Sequence, residues 1–131
     1  LAFPLFSHYY RLMESIKGIV MQDKEVVAAL AALAQDSRLA VYRLLVQAGP
    51  EGMPATKIAD QLAIPPSSLS FHLKELTHAG LVTQTKAGRS LIYAASFATM
   101  NGLIGFLTEN CCGGNTCSPV SPATCTEGEC T

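Results

Sequence analysis

The stretch from Ile64 to Val82, IPPSSLSFHLKELTHAGLV, has two distinct faces, and this narrows the folds open to the chain more than any other feature. Wound as a helix, it puts Leu69, Leu73, Leu76 and Leu81 near one side, with His72 beside them, and that side must be covered by a core. Ser67, Ser70, Phe71 and Lys74 also recur at spacings of three and four, which makes a second stripe turned away from the core. Pro66 suits the first helical turn, where a missing N–H is harmless, and Gly80 suits a left-handed stop. Small hydroxyls at the front of an exposed helix, one lysine further along and few acids suit entry into a DNA major groove.

The chain of 131 residues is 49% hydrophobic, enough for one buried core and too little for two substantial domains. Its net charge of −1 excludes binding to nucleic acid through a global basic field. Basic charge is local: Lys57, Lys74, Lys86 and Arg89 face only Asp60 and Glu75 between residues 55 and 96. All five cysteines, Cys111, Cys112, Cys117, Cys125 and Cys130, fall in the last 21 residues. An odd, clustered set with no partner thiols in the core argues against a secreted disulfide framework and for reduced thiols in the cytoplasm. No apolar run approaches the roughly 18 residues of a membrane span, and LAFPLFSHYYRLM lacks the basic start of a signal peptide.

Residues 1–22 read as an N-terminal extension, with Met13 and Met21 as candidate starts. From Asp23, a capping acid, DKEVVAALAALAQ forms a helix with Val26, Val27, Leu30, Leu33 and Ala34 as its apolar stripe. Asp36 caps a second helix that Gly49 and Pro50 close; Leu39, Tyr42, Leu45 and Val46 face inward, and Arg38 and Arg43 stay outside. Ala55 to Ala63 makes a short helix with Ile58, Ala59 and Leu62 inward and Lys57 outward. Joined by a tight link to the helix that follows, it completes a helix-turn-helix. The period then changes to two. Leu81 to Lys86 and Ser90 to Ala95 alternate around Ala87, Gly88 and Arg89, the signature of a β-hairpin placed as a wing. Ser96 caps a last helix, FATMNGLIGFLTEN, whose Met100, Leu103, Ile104 and Leu107 exceed what so small a core can cover. Together with the helix from residue 23, this stripe is the candidate homodimer surface. The fold class is therefore mainly α with a small β-hairpin: a winged helix-turn-helix over residues 23–110, dimeric through its N- and C-terminal helices, followed by a Cys-rich segment over 111–131.

This order of elements, with SSLSFHLKELTHAGLV and GRSLIYA, closely resembles the ArsR/SmtB family of winged-helix metal-sensing repressors. The specific matches are Ser70, His72 and Leu73 in an S-x-H-L pattern, Ala79 to Val82 as AGLV, and Gly88, Arg89 and Tyr93 of the wing. The resemblance implies a homodimer that sits on double-stranded operator DNA and lets go when an inducer binds. It also implies that Ser67, Ser68, Ser70, Phe71 and Lys74 meet DNA, with Lys86 and Arg89 on flanking phosphate. The stretch SRLAVYRLL has no cysteine where the best-known arsenic sensors carry theirs, and no histidine follows His78, where SmtB-like zinc sensors place ligands. NCCGGNTC at the end of the last helix is instead similar to the arsenic-responsive subgroup with a C-terminal site.

Cys111 and Cys112 are consecutive, so in a continuous α-helix their side chains diverge by about 100° and share an ion poorly. Gly113 and Gly114 are expected to end the helix and let the backbone fold back, bringing Cys117 to the first two thiols. Three thiolates without a nearby imidazole or carboxylate suit As(III) or Sb(III) as inducer better than a tetrahedral zinc ion, and no organic cofactor is implied. Cys125 and Cys130 stand in a Pro-, Ser- and Thr-rich segment and could complete a four-sulfur zinc or cadmium site. The alternative readings are a Zn/Cd or redox-sensing repressor on the same fold, or a metal-buffering thiol protein. His72 is balanced between a hydrogen-bonded core histidine and a phosphate contact, and His78 is read as solvated. No Ser, His and Asp arrangement, Cys with a neighbouring His, or phosphate-cradling Gly loop supports an enzyme.

Overall fold

A computed structural model describes residues 20–114. Its helices are α1 (Asp23–Leu33), α2 (Asp36–Ala48), α3 (Ala55–Leu62), α4 (Pro66–His78) and α5 (Phe97–Thr108). Its strands are β1 (Met53–Pro54), β2 (Val82–Ala87) and β3 (Ser90–Ala95), and a four-residue 3-10 turn, Cys111–Gly114, follows α5. The strands form an antiparallel sheet in the order β1-β3-β2. These elements make the expected winged helix-turn-helix.

Glutamines one residue ahead of the expected acids start the first two helices. The Gln22 N–H donates to Glu25 Oε2 at 3.0 Å, and Gln35 Oε1 accepts from the Arg38 N–H at 2.8 Å. Asp23 and Asp36 therefore occupy first-turn positions, where their charge favours the helix dipole but their side chains do not act as caps. Ser96 does cap α5, accepting from the Thr99 N–H at 3.3 Å.

The core joins α1 (Val26, Ala29), α2 (Val41, Tyr42, Leu45), α3 (Ile58), α4 (Leu69, Leu73, Leu76) and α5 (Leu103), with Leu81 and Val82 at the root of the wing. Met21 also packs there, ahead of the expected domain start at residue 23. Two assignments on α2, one inward and one outward, are corrected. Leu39 is 44% exposed, and Val41 takes its place in the core. Arg38 is not simply outside: it is half-buried, and its Nε donates to the Ala32 carbonyl at 2.6 Å, tying α2 back to the end of α1. Burial without charge compensation raises the Tyr42 phenol above its usual pKa.

Two features were not anticipated. β1 adds a short edge to the wing, pairing Met53 with Tyr93 and Pro54 with Ile92. Its approach depends on Gly52, whose φ is +73° and where an added Cβ would lie 2.4 Å from the Tyr93 carbonyl oxygen. The hairpin turn is tighter than expected, since Ala87 pairs with Ser90 and leaves Gly88 and Arg89 alone at the tip. Beyond Val82 every residue of β2 is exposed, so the wing stands away from the core.

Val27, Leu30, Ile104 and Leu107 are exposed, although they belong to the apolar stripes of α1 and α5. Those two helices pack against each other, and these four residues are left uncovered on them among the described residues. α5 ends at Thr108, not at the glycines. Asn110, with φ of +55°, turns the chain before Cys111, and Gly113, with φ of +65°, lies inside the 3-10 turn that follows.

Gly52 and Gly88 both have positive φ, but only Gly52 lacks room for a side chain. Gly88→Ala should cost about 1–2 kcal/mol, the ordinary penalty of a left-handed residue. Gly52→Ala should cost clearly more, because the backbone clash adds to that penalty. Urea unfolding of both variants checks the contrast, and equal losses would refute the close approach of β1 to β3.

Candidate nucleic-acid interface

The turn between α3 and α4 is made by Ala63, Ile64 and Pro65. Ala63 adopts a left-handed conformation, φ 52° and ψ 41°, which a non-glycine residue seldom takes. Its N–H caps the Ala59 carbonyl, and the Ile64 N–H reaches the same oxygen at 3.1 Å. Pro65 then holds an extended conformation and Pro66 enters at the first helical position, so α4 begins abruptly at a set angle to α3.

Once Leu69, Leu73 and Leu76 are buried, the helical period leaves Ser67, Ser68, Ser70, Phe71 and Lys74 on the outside, and all five are exposed. Phe71 is 56% exposed, a high value for a phenyl ring in a domain with a well-filled core. Its edge meets the His72 ring, with centroids 6.1 Å apart and planes at 65°. His72 is half-buried, and its Nδ1 is turned inside without a hydrogen-bond partner among the described residues. It therefore stands on the core side of α4 and away from the reading stripe. The Ser70 hydroxyl donates to the Pro66 carbonyl at 2.9 Å, which leaves its oxygen free to accept.

The wing brings Lys86, on β2, and Arg89, at the hairpin tip, into solvent. Between α4 and the wing lies an open cleft of about 470 Å³, lined by Ser70, Lys74, Thr77, His78, Gln84 and Tyr93. Sequence reasoning named Ser70 and Lys74 here and missed the other four as possible contacts. Spacing along α4 could have joined Thr77 and His78 to Lys74, but Gln84 and Tyr93 enter only through the hairpin register. Lys57 points outward from α3, as expected.

The thiol positions are reached in part. Cys111 is half-buried at the start of the 3-10 turn, and Cys112 is the next residue of that turn. Cys117, Cys125 and Cys130 lie outside the described residues. Among the described residues no group of three metal-ligating side chains comes together, and no helix is long and apolar enough to cross a membrane.

Residues 33–85 match a family described as a helix-turn-helix domain. Over 70 residues the chain is 37% identical to the HTH-type transcriptional regulator NmtR of Mycobacterium tuberculosis, a match covering 53% of this chain and 56% of that protein. The chain thus spans little more than half the length of this relative. Among solved structures, it is similar to an ArsR-like transcriptional regulator from Rhodococcus, with 28% identity and a TM-score of 0.58 over 64% of this chain and 76% of that one. It is also similar to a possible transcriptional regulator for arsenical resistance, with 28% identity and a TM-score of 0.53 over 60% of this chain and 79% of that one.

If Phe71 contributes only to a surface, Phe71→Ala should leave stability within about 0.5 kcal/mol of the parent. Leu73→Ala, two residues away and buried, should cost about 2–5 kcal/mol. Thermal unfolding of the two variants separates the faces of α4, and a large loss at Phe71 would show that the ring is structural.

Proposed function

We propose that this chain, a member of the ArsR family of winged-helix proteins, is an arsenic-responsive transcriptional repressor that binds operator DNA as a homodimer and releases it when As(III) or Sb(III) is captured by Cys111, Cys112 and Cys117. The observation that carries the DNA-binding half is the exposed face of α4, with small hydroxyls, one aromatic ring and one lysine, standing beside a wing that ends in Lys86 and Arg89. An α-helix of this kind fits a major groove, where Ser67, Ser68, Ser70 and Phe71 meet base edges and sugar. Lys74 and the basic wing residues take phosphate.

Dimerisation supplies what one copy lacks. A nearly neutral protein with few cations on its reading face holds DNA weakly, whereas two copies at a set spacing read two half-sites together. The uncovered apolar residues Val27 and Leu30 of α1, with Ile104 and Leu107 of α5, are the surface that two copies would share.

The inducer half rests on the thiols. Five cysteines in the last 21 residues and none before them form a soft ligand set. Cys111 stands half-buried at the start of the 3-10 turn that follows α5. Capture of one ion by three sulfurs would act on the segment directly after α5, the helix that carries Ile104 and Leu107. A change of packing there would alter the spacing of the two α4 helices, and coupling of about 1–3 kcal/mol weakens DNA binding roughly five- to 150-fold. The similarity to a possible regulator for arsenical resistance also supports the arsenic reading.

Mobility shift on promoter DNA, with arsenite, antimonite, zinc, cadmium or hydrogen peroxide added in turn, tests this reading. Arsenite and antimonite should release the DNA; release by zinc or peroxide alone would move the protein to a zinc-sensing or redox-sensing mechanism. Cys111→Ser, Cys112→Ser and Cys117→Ser should each retain DNA binding and lose arsenite release, while Cys125→Ser and Cys130→Ser should respond like the parent. Lys74→Ala should weaken binding to every duplex and reduce the slope of log affinity against log salt by about 0.9 per protomer.

A further inference from the structure

The cleft between α4 and the wing contains donors from both elements, and we propose that it is a clamp for one backbone phosphate of duplex DNA, built by Lys74, His78, Gln84 and Tyr93. The inference rests on the DNA-binding reading above and assigns roles to three residues outside it.

No carboxylate lines the cleft. Two of its six lining residues have already committed their protons: the Ser70 hydroxyl donates to the Pro66 carbonyl, and the Thr77 hydroxyl to the Leu73 carbonyl at 2.7 Å. The donors left to an incoming group are the Lys74 ammonium, a His78 ring N–H, the Gln84 amide and the Tyr93 hydroxyl. A site rich in donors, with a fixed cation and no acid, suits an anion with several acceptor oxygens.

Placement makes these donors converge. Lys74 and His78 are four residues apart on α4 and so share one face, a turn apart. Gln84 and Tyr93 are directly opposed cross-strand partners, and Tyr93 stands on the central strand with Met53 on its other side. The helix supplies one wall and the sheet the other. The C-terminal end of α4 is the negative end of its dipole and by itself repels an anion, so Lys74 is needed to make the cleft attractive. Base edges are met by the front of a reading helix. A cleft at the rear of α4, closed by the wing, falls over the sugar-phosphate strand that borders the groove.

Phosphate contacts position a protein without reading sequence. The test is fluorescence anisotropy on two duplexes, one of mixed sequence and one from the bound promoter, using the full chain and Tyr93→Phe, His78→Ala and Gln84→Ala. Each variant should lose affinity, roughly tenfold for a hydrogen bond to a charged partner, by the same factor on both duplexes. Circular dichroism and melting temperature should match the parent for Tyr93→Phe, which removes one hydroxyl. Inorganic phosphate should not displace DNA beyond the effect of matched ionic strength. Unchanged affinity in all three variants while the parent binds overturns the clamp and leaves the DNA-binding reading standing. Loss on the promoter duplex alone also overturns it, since that would be base readout. Specific displacement by inorganic phosphate, with variants that keep parental duplex affinity, would make the cleft a small-anion site and refute it. A parent that binds neither duplex overturns both the clamp and the reading beneath it.

Discussion

Burial of Leu69, Leu73, Leu76 and Leu81 is the constraint on which the rest of the domain depends. Each such side chain contributes about 1.5–3 kcal/mol when removed from water, and the three on α4, Leu69, Leu73 and Leu76, fix its roll about its own axis. Because a helix turns about 100° per residue, that roll alone decides which side chains face out. Ser67, Ser70, Phe71 and Lys74 are surface residues because the leucines are not. Any function carried by the outer stripe therefore takes its geometry from the inner one, and the aromatic ring of Phe71 remains in water as a consequence of packing elsewhere.

Much of this was legible in the chain because strong periodicities announce themselves. The leucine seam, the prolines at the start of α4, Gly80 after its end and the switch to a two-residue period all act locally, and local signals survive without a tertiary context. The misplacements arise where tertiary contacts decide. On α2 Val41 is buried and Leu39 is exposed, while the half-buried Arg38 reaches the Ala32 carbonyl. Asp23 and Asp36 have good capping side chains, yet the bonds at those helix starts come from Gln22 with Glu25 and from Gln35. β1 is two residues long and has no periodicity to read. Its trace in the sequence is Gly52, which permits the close backbone approach to Tyr93.

The candidate sites differ in how far the sequence could reach them. The reading stripe lies on one helix, so spacing was enough. The cleft beside the wing draws on residues from three elements, and Gln84 meets Tyr93 only because the hairpin turn holds two residues and not three. At the thiols, composition showed the cluster but not the backbone around it. The chain turns at Asn110, a residue that tolerates the left-handed conformation through its short polar side chain, ahead of the glycines and not at them.

The wing is attached at one end only. Val82 and Ala95 are buried at its root, while Lys86, Gly88 and Arg89 stand in solvent with no layer packed against them among the described residues. In mechanical terms it is a cantilever, with β1 as a short bracket near the fixed end. Deflection of such a beam grows steeply with distance from its support. The tip is thus the part of the wing that yields at little elastic cost, while Tyr93, held between two neighbouring strands near the bracket, is stiff. On the DNA-binding reading proposed above, one hairpin so divided would have a compliant end that tolerates differences among DNA sites and a rigid end that keeps the register of the domain upon them.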